Sequence, residues 1–359
     1  MPKKSKAVIA GQVLLWYDHN KQSMPWRDDP DIYHIWLSEI MLQQTQIKTV
    51  IPYYYNWLKL FPTIQDVAMA NEQDILKAWE GLGYYSRAMN FFNACKTIMK
   101  DYKGIIPSNE EDFIKLKGVG PYIDAAVRSI AYNHIVPTID GNVNRVMSRV
   151  LCIDKPVIKE QKFIYDFLMS NIDKERPGDF NQALMDLGRN ICKPKKPICH
   201  ECPISDNCEA YLLDTVEEYP IKNKPKTIPH YNVAVGVVWK KDDILIAKRK
   251  LGGLLGGLWE FPGGKLENNE SAEDCVIREI HEEIGVNIEI KSFISTIKHQ
   301  YSHFSISLDS FHCLYIDGEP KPKTSSELKW ISPKDIPNFP FPKANHKFIN
   351  KIPDYNPCT

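Results

Sequence analysis

The spacing of apolar residues changes once along this 359-residue chain, and that change constrains its fold more than any other feature. From Val8 to about Tyr211 the apolar positions recur at helical spacing, as in "IYHIWLSEIMLQQTQIKTVIPYYYNWLKLF". "NEQDILKAWEGLGYYSRAMNFFNACKTIMKDY" reads as a helix, a glycine break and a second helix. The polar stretch "EEYPIKNKPKTIPHY", rich in lysine and proline, favours an extended tether. After it, "YNVAVGVVWKKDDILIAKRK" alternates and is rich in valine and isoleucine, so strands begin. A sheet and a helical bundle bury their apolar residues differently, so one core cannot serve both patterns. The expected organisation is an all-α domain at 1–213, a linker at 214–229 and an α/β domain at 230–359. About two domains is also what the length predicts.

Charge narrows the partners less than the pattern does. Lysine plus arginine (45) balances aspartate plus glutamate (45), so any nucleic-acid surface must be a local patch. No apolar run approaches the roughly 18 residues that span a bilayer. The opening "MPKKSKAVIAGQVLLWY" lacks the apolar core and cleavage site of a signal peptide. Nine cysteines are present, and four of them crowd into Cys192, Cys199, Cys202 and Cys208 with spacing C-x6-C-x2-C-x5-C. That distribution predicts a metal site in a reducing compartment, and a soluble, cytoplasmic protein. Four thiolates in one short loop suit either zinc or a 4Fe–4S cluster; the spacing does not choose. Lys193, Lys195 and Lys196 decorate the same loop.

In "FIKLKGVGPYIDAAVRSIA", Gly118 and Gly120 permit a tight turn, and the helix that follows offers free backbone N–H groups to a phosphate. Such a hairpin grips a DNA backbone without reading sequence. About twenty residues later comes "TIDGNVNRVMSR", whose Asp140 stands at a helix start and would serve there as a cap at least.

Taken in order, "WLSEIMLQQTQ", "GLGYYSRA", "LKGVGPY", "IDGNVNRV" and the cysteine loop resemble the adenine DNA glycosylases of the MutY type, in the endonuclease III superfamily, over about residues 8 to 215. The resemblance implies a helix-hairpin-helix glycosylase: a six-helix barrel packed against an iron-sulfur domain, with 4Fe–4S held by the loop at 192–208. It implies that Glu39 protonates the purine, that Asp140 supports the sugar cation, and that Tyr122 and Asn142 line their site. The chemistry wants such a pair, because adenine leaves poorly until a ring nitrogen is protonated and its loss creates an oxocarbenium-like sugar. Trp26 and Arg27 match a segment near the purine, and Gln44 and Tyr84 match residues that push into the opened base stack. Tyr122 stands where the lyase branch carries a Schiff-base lysine, so excision without strand cleavage is expected. Ile123, Asp124 and Arg128 depart from the family's pattern. Asp124 would repel a phosphate unless it turns towards Arg128, one helical turn on.

The second domain carries "GGKLENNESAEDCVIREIHEEIG", which satisfies G-x5-E-x7-R-E-U-x-E-E-x-G-U without a gap from Gly264 to Val286. Glu279, Glu282 and Glu283 fall at i, i+3 and i+4 and so share one helix face, which a hard cation such as Mg²⁺ would neutralise. This is a Nudix box, and the surrounding sequence resembles the MutT hydrolases. "FPKAN", ending in Asn345, and "HQYSHFSI", with Ser302 and His303, resemble segments that bind 8-oxoguanine in MutT and MutY proteins. Thr324 falls where MutT has an additional loop glutamate, with Glu327 nearby. The sequence thus predicts a monomeric base-excision enzyme that removes adenine opposite 8-oxoguanine or guanine in double-stranded DNA. Its second domain is expected to recognise 8-oxoguanine. The alternatives are 8-oxo-dGTP hydrolysis as a second activity, or an endonuclease III-like glycosylase/lyase.

Overall fold

The computed structural model describes residues 9–222, 228–301 and 303–352, which leaves Ser302 and the centre of the expected linker outside the described residues. The chain divides into two compact units, one of Met1–Tyr54, Thr63–Gln65 and Asn93–Pro225, the other of Tyr55–Pro62, Asp66–Phe92 and Lys226–Thr359. The helical stretches at 55–62 and 66–92, expected with the all-α domain, group instead with the strands. The reason is polar: Gln73, Lys77 and Glu80 hydrogen-bond to residues between Gly257 and His346.

The first unit is helical. Helices Ala10–Asn20, Gly141–Val150, Gln161–Asn171 and Pro177–Asn190 contribute Val13, Val146, Leu168, Phe180 and Leu184 to one apolar core. Glycine sets how close two of them come. A Cβ at Gly188 would stand 2.6 Å from Cβ of Asn142, so only glycine lets the Pro177–Asn190 helix lie against the start of the Gly141–Val150 helix. Helix Ile32–Leu42 begins at Asp31, whose side chain accepts from the backbone N–H groups of Tyr33 and His34. Among the described residues no helix is long and apolar enough to cross a membrane.

The second unit is built on a mixed seven-stranded sheet. Its strands are β1 (His230–Lys240), β2 (Asp243–Lys248), β3 (Trp259–Glu260), β4 (Gly263–Lys265), β5 (Val286–Gln300), β6 (Ser305–Gly318) and β7 (Glu327–Ile331). The order is β3-β2-β1-β6-β5, with β4 paired to β1 and β7 to β2; only β1 and β6 run parallel. β1 is buried on both faces. Val235, Val237 and Trp239 enter one core with Phe261, Phe341 and Phe348, while Ala234 and Val238 enter a second with Val276 and Ile280. Helix Ala272–Ile284 covers the second face, and Gly236 lets it approach: a Cβ there would meet Ile280 Cδ1 at 2.7 Å. That helix is capped by Ser271 and closed by Gly285 in the left-handed region, φ 73°.

Candidate active site

Glu39 lies on helix Ile32–Leu42 with 6 % of its surface exposed. The apolar spacing of that helix buries seven other residues and takes the carboxyl inside with them. It lines a cleft of about 440 Å³ with Tyr17, Trp26, Arg27 and Gln182. Burial pushes its pKa up to about 7, helped by the nearby charge of Asp140 and opposed by Tyr122 and Arg27. Tyr122, in the first turn of helix Pro121–Tyr132, donates its hydroxyl to Glu39 Oε2 at 2.6 Å. Burial, with Glu39 beside it, holds the phenol well above its ordinary pKa, so it remains a donor.

Asp140 is the N-cap of helix Gly141–Val150, so the capping role read from sequence is real. Its Oδ1 accepts from Val143 N at 2.7 Å and its Oδ2 from Asn142 Nδ2 at 2.8 Å. Burial raises its pKa against these hydrogen bonds and the Arg145 charge. Asn142 Oδ1 accepts in turn from Arg145 Nη2 at 2.9 Å, and Arg145 also bonds the carbonyls of Gly188 and Cys192. Cap and catalyst need not exclude one another: two donors fix the carboxylate without neutralising it.

Trp26 is buried edge-on against Tyr54, with ring centroids 5.3 Å apart. Arg27 is held by Asp186 in a two-pronged pair at 2.8 and 3.0 Å, and by Gln182 at 2.8 Å. Asp186, Gln182 and Met185, whose sulfur lies 3.7 Å from the Tyr122 hydroxyl oxygen, went unread in the sequence. The available signal was a polar residue every turn, Gln182, Asp186 and Arg189, in an otherwise buried helix. Gln44 follows its helix at φ +57°. At the hairpin, Gly118 takes φ +82° and Gly120 caps the next helix with no side-chain bond, leaving its first N–H groups to other acceptors. Asp124 turns to Arg128 at 2.8 Å, and Arg128 also meets Glu110, so its charge does not face the hairpin.

The four cysteines line one apolar cavity with Arg149 and Val216. Arg149, almost fully buried, donates to Cys192 Sγ at 3.2 Å and to the carbonyls of Lys193 and Val216. Burial pushes the free thiols up, Cys202 to about 12 and Cys208 to about 11. Among the described residues no group of three or more His, Cys, Asp or Glu side chains is placed to hold a single ion.

In the second unit, Tyr84 sits half-exposed in a turn where Gly81, Gly83 and Tyr84 all have positive φ. His303 is exposed and Asn345 is buried at 5 %. Two of the three box glutamates, Glu279 and Glu282, have a counter-charge. Arg278, inside the motif, lies 3.1 Å from both Glu279 and Glu282 and pairs with Glu270 at 2.7 Å; Glu283 accepts from Thr324 at 2.9 Å. The expectation that the face needs a cation overlooked this arginine. A Cβ at Gly264, in β4, would meet the Glu279 carboxyl at 2.2 Å, so a side chain there would displace that carboxyl.

Both parts of the chain resemble known proteins. A family model described as HhH-GPD superfamily base excision DNA repair protein matches residues 37–166, and one described as NUDIX domain matches 234–351. The adenine DNA glycosylase of Mus musculus is 30 % identical over 97 % of this chain and 78 % of its own. That of Buchnera aphidicola subsp. Baizongia pistaciae is 31 % identical over 96 % of each. Among solved structures, a thermostable thymine-DNA glycosylase superposes with TM-score 0.54 at 26 % identity, over 58 % of this chain and 97 % of that one. A non-covalent endonuclease III–DNA complex gives TM-score 0.50 at 20 % identity, over 59 % and 99 %, a likeness of fold alone. With a helical base-excision fold, a Nudix domain and relatives at least 30 % identical matched over 78 % and 96 % of their own length, this chain belongs to the adenine DNA glycosylase family.

Proposed function

We propose that this glycosylase hydrolyses the N-glycosidic bond of adenine opposite 8-oxoguanine or guanine, with Glu39 as the acid and Asp140 as the fixed carboxylate. The observation that carries this is the Glu39 carboxyl: buried, pKa about 7, and hydrogen-bonded by Tyr122 beside a second carboxylate. A carboxylic acid still protonated near neutrality can hand a proton to a purine ring nitrogen. Tyr122 donates to Oε2, so the transferable proton belongs on Oε1. As the glycosidic bond breaks, its electron pair leaves with the protonated base, and the positive charge on the sugar meets Asp140. Asn142 and Val143 N hold Asp140 without cancelling its charge. Water then bonds to the sugar carbon and gives its proton back to Glu39. Arg27, fixed by Asp186, and Gln182 offer polar groups to the base in the cleft. No amine stands at Tyr122 to form a Schiff base, which supports a monofunctional enzyme.

The cysteine loop fits a 4Fe–4S cluster better than a single zinc, since its thiols surround a cavity instead of meeting at a point. Cys192, Cys199, Cys202 and Cys208 would hold it, with Arg149 offsetting thiolate charge. A bound cluster would tie the loop to the helical core; it takes no part in the steps above. On the Nudix face Arg278 already offsets the charge of Glu279 and Glu282, which weakens the need for Mg²⁺ there. We therefore read this domain as the reader of 8-oxoguanine, through His303, Asn345 and Ser302, and assign no hydrolysis to it.

A duplex with one adenine opposite 8-oxoguanine tests the whole reading. The expected product is an intact abasic strand that breaks only after alkali. Strand nicking with a borohydride-trapped adduct would overturn it. Iron and acid-labile sulfide analysis tests the loop, with one zinc and no iron as the contrary result.

A further inference from the structure

The turn that carries Tyr84 is costly to hold. Gly81, Gly83 and Tyr84 take φ of 90°, 79° and 51°, and a tyrosine in the left-handed region is strained. Something must over-determine it. Part of the answer is local: Trp79 Nε1 and Arg87 Nη2 both donate to Gly83 O, at 3.0 and 3.2 Å, and the Arg87 guanidinium lies 5.3 Å from the Tyr84 ring centroid.

The remainder comes from far along the chain, within the same compact unit. Glu80, immediately before the turn, accepts from Phe341 N at 2.8 Å and from His346 Nε2 at 2.9 Å, both on Oε1, and Lys77 closes on its other oxygen. Lys77 reaches on to Phe339 O at 3.2 Å. Tyr85, just after the turn, accepts from Gly81 N at 3.0 Å. Gln73, one turn before Lys77, accepts from Trp259 Nε1 at 2.7 Å and donates to Gly257 O at 3.2 Å. Burial would raise the Glu80 carboxyl, but the hydrogen bonds from His346, Lys77 and Phe341 N outweigh it and hold it below its ordinary value. Glu80 is thus a charged peg with partners on three sides. Two of its donors, Phe341 and His346, bracket Asn345.

We infer that Glu80 is a specificity-determining positioning residue, which locks the Gly81–Tyr84 turn to the segment 341–346. Any shift of that segment on binding a base is felt at Tyr84 through one carboxylate. This rests on the proposed reading in which Asn345 belongs to the 8-oxoguanine site and Tyr84 enters the base stack. The lock itself stands on geometry alone. Glu80 touches neither base nor sugar in this scheme; it acts through Tyr84.

Three full-length variants test it: Glu80→Gln, His346→Ala and the double change. Amide hydrogen exchange without DNA should quicken across Gly81–Tyr85 in each. Single-turnover excision should lose about tenfold of its preference for adenine opposite 8-oxoguanine over guanine, the worth of one charge-assisted hydrogen bond, with the slower reaction held within about twofold. The double variant should be no worse than the worse single one, since both cut the same link. His346→Gln, whose amide nitrogen can donate from nearly the same place, should restore exchange and preference together. Unchanged exchange would overturn the lock. Equal loss of both rates with a lower melting temperature would reduce Glu80 to a structural residue and overturn its role in specificity. A parent enzyme with no preference for 8-oxoguanine would instead sink the recognition reading and the specificity role with it, and the exchange arm would still decide the lock.

Discussion

Two groups of carboxylates in this molecule meet opposite fates. Around Glu39 and Asp140 the carboxyls are buried with hydrogen-bond donors that are mostly neutral, and both pKa values rise. On the Nudix helix, Arg278 threads between Glu270, Glu279 and Glu282, and Glu270 is held down at about 2 by that arginine and the backbone of Glu267. Burial without a counter-ion makes an acid that can give up a proton near neutrality. The arginine paired with Glu270 keeps that carboxylate an anion whose charge is already spent. Counting glutamates in a motif does not separate these outcomes; the partner of each carboxylate does.

The sharpest test of the difference is to neutralise each group in place. Glu39→Gln and Asp140→Asn should each slow single-turnover excision by about 10³-fold while binding of the mispaired duplex is retained, because shape is kept and charge or proton is lost. Near-normal turnover in Asp140→Asn would leave Asp140 a cap and nothing more. Glu282→Gln should leave excision untouched.

Acidity gives the next largest effect. The rate should fall as pH rises through about 7, where Glu39 loses its proton, by about tenfold per unit beyond it. Glu39→Gln should flatten that limb. A rate still flat to pH 9 would remove the acid role.

Stability should separate the two regions by sign. The folded pKa of Glu39 lies above its ordinary 4.5, so the folded state binds the proton more tightly than the unfolded one. Its stabilising effect is complete below that value and lost as pH rises through 7. Glu39→Gln should therefore be more stable than the parent at pH 8, by about 2–3 kcal/mol, and no more stable at pH 4. Glu270 is the reverse case: its support is present above 4.5 and lost as pH falls towards 2. Calorimetry of Glu39→Gln and Glu270→Gln across pH checks the signs.

The smallest effect concerns Arg278. Arg278→Gln should lower the melting temperature by only about 1–3 °C, since these pairs are partly exposed. Mg²⁺ should then stabilise the variant more than the parent, because its carboxylates have lost their cation. Equal Mg²⁺ stabilisation of the parent would mean that the box binds metal despite its arginine.

Much of this was legible in the sequence, for reasons that also mark the limits. Glu39, Tyr122 and Asp140 could be named because short motifs fix them in order, and the change in apolar spacing located the sheet. The turn of Asp124 towards Arg128 followed from helix geometry. Asp186 and Gln182 stayed hidden because a helix rich in buried leucine and phenylalanine masks its polar stripe. Arg278 was visible, yet nothing local says that its side chain folds back over its own helix face. The grouping of 66–92 with the strands was out of reach altogether. It depends on Glu80 finding Phe341 and His346 more than 250 residues away, and periodicity tells that a face is covered without telling by what.

Asp140 caps a helix and, in the proposed mechanism, also faces the sugar cation; asparagine can discharge the first duty in full, because it caps a helix as well as aspartate does. A single-nucleotide change in the gene that turned Asp140 into asparagine would therefore yield a protein of ordinary abundance. Chaperones and proteases, which sort by stability, would pass it. It would still find mispairs and occupy them, shielding each from any other enzyme able to repair it. A cell would be better off with a variant that never folded.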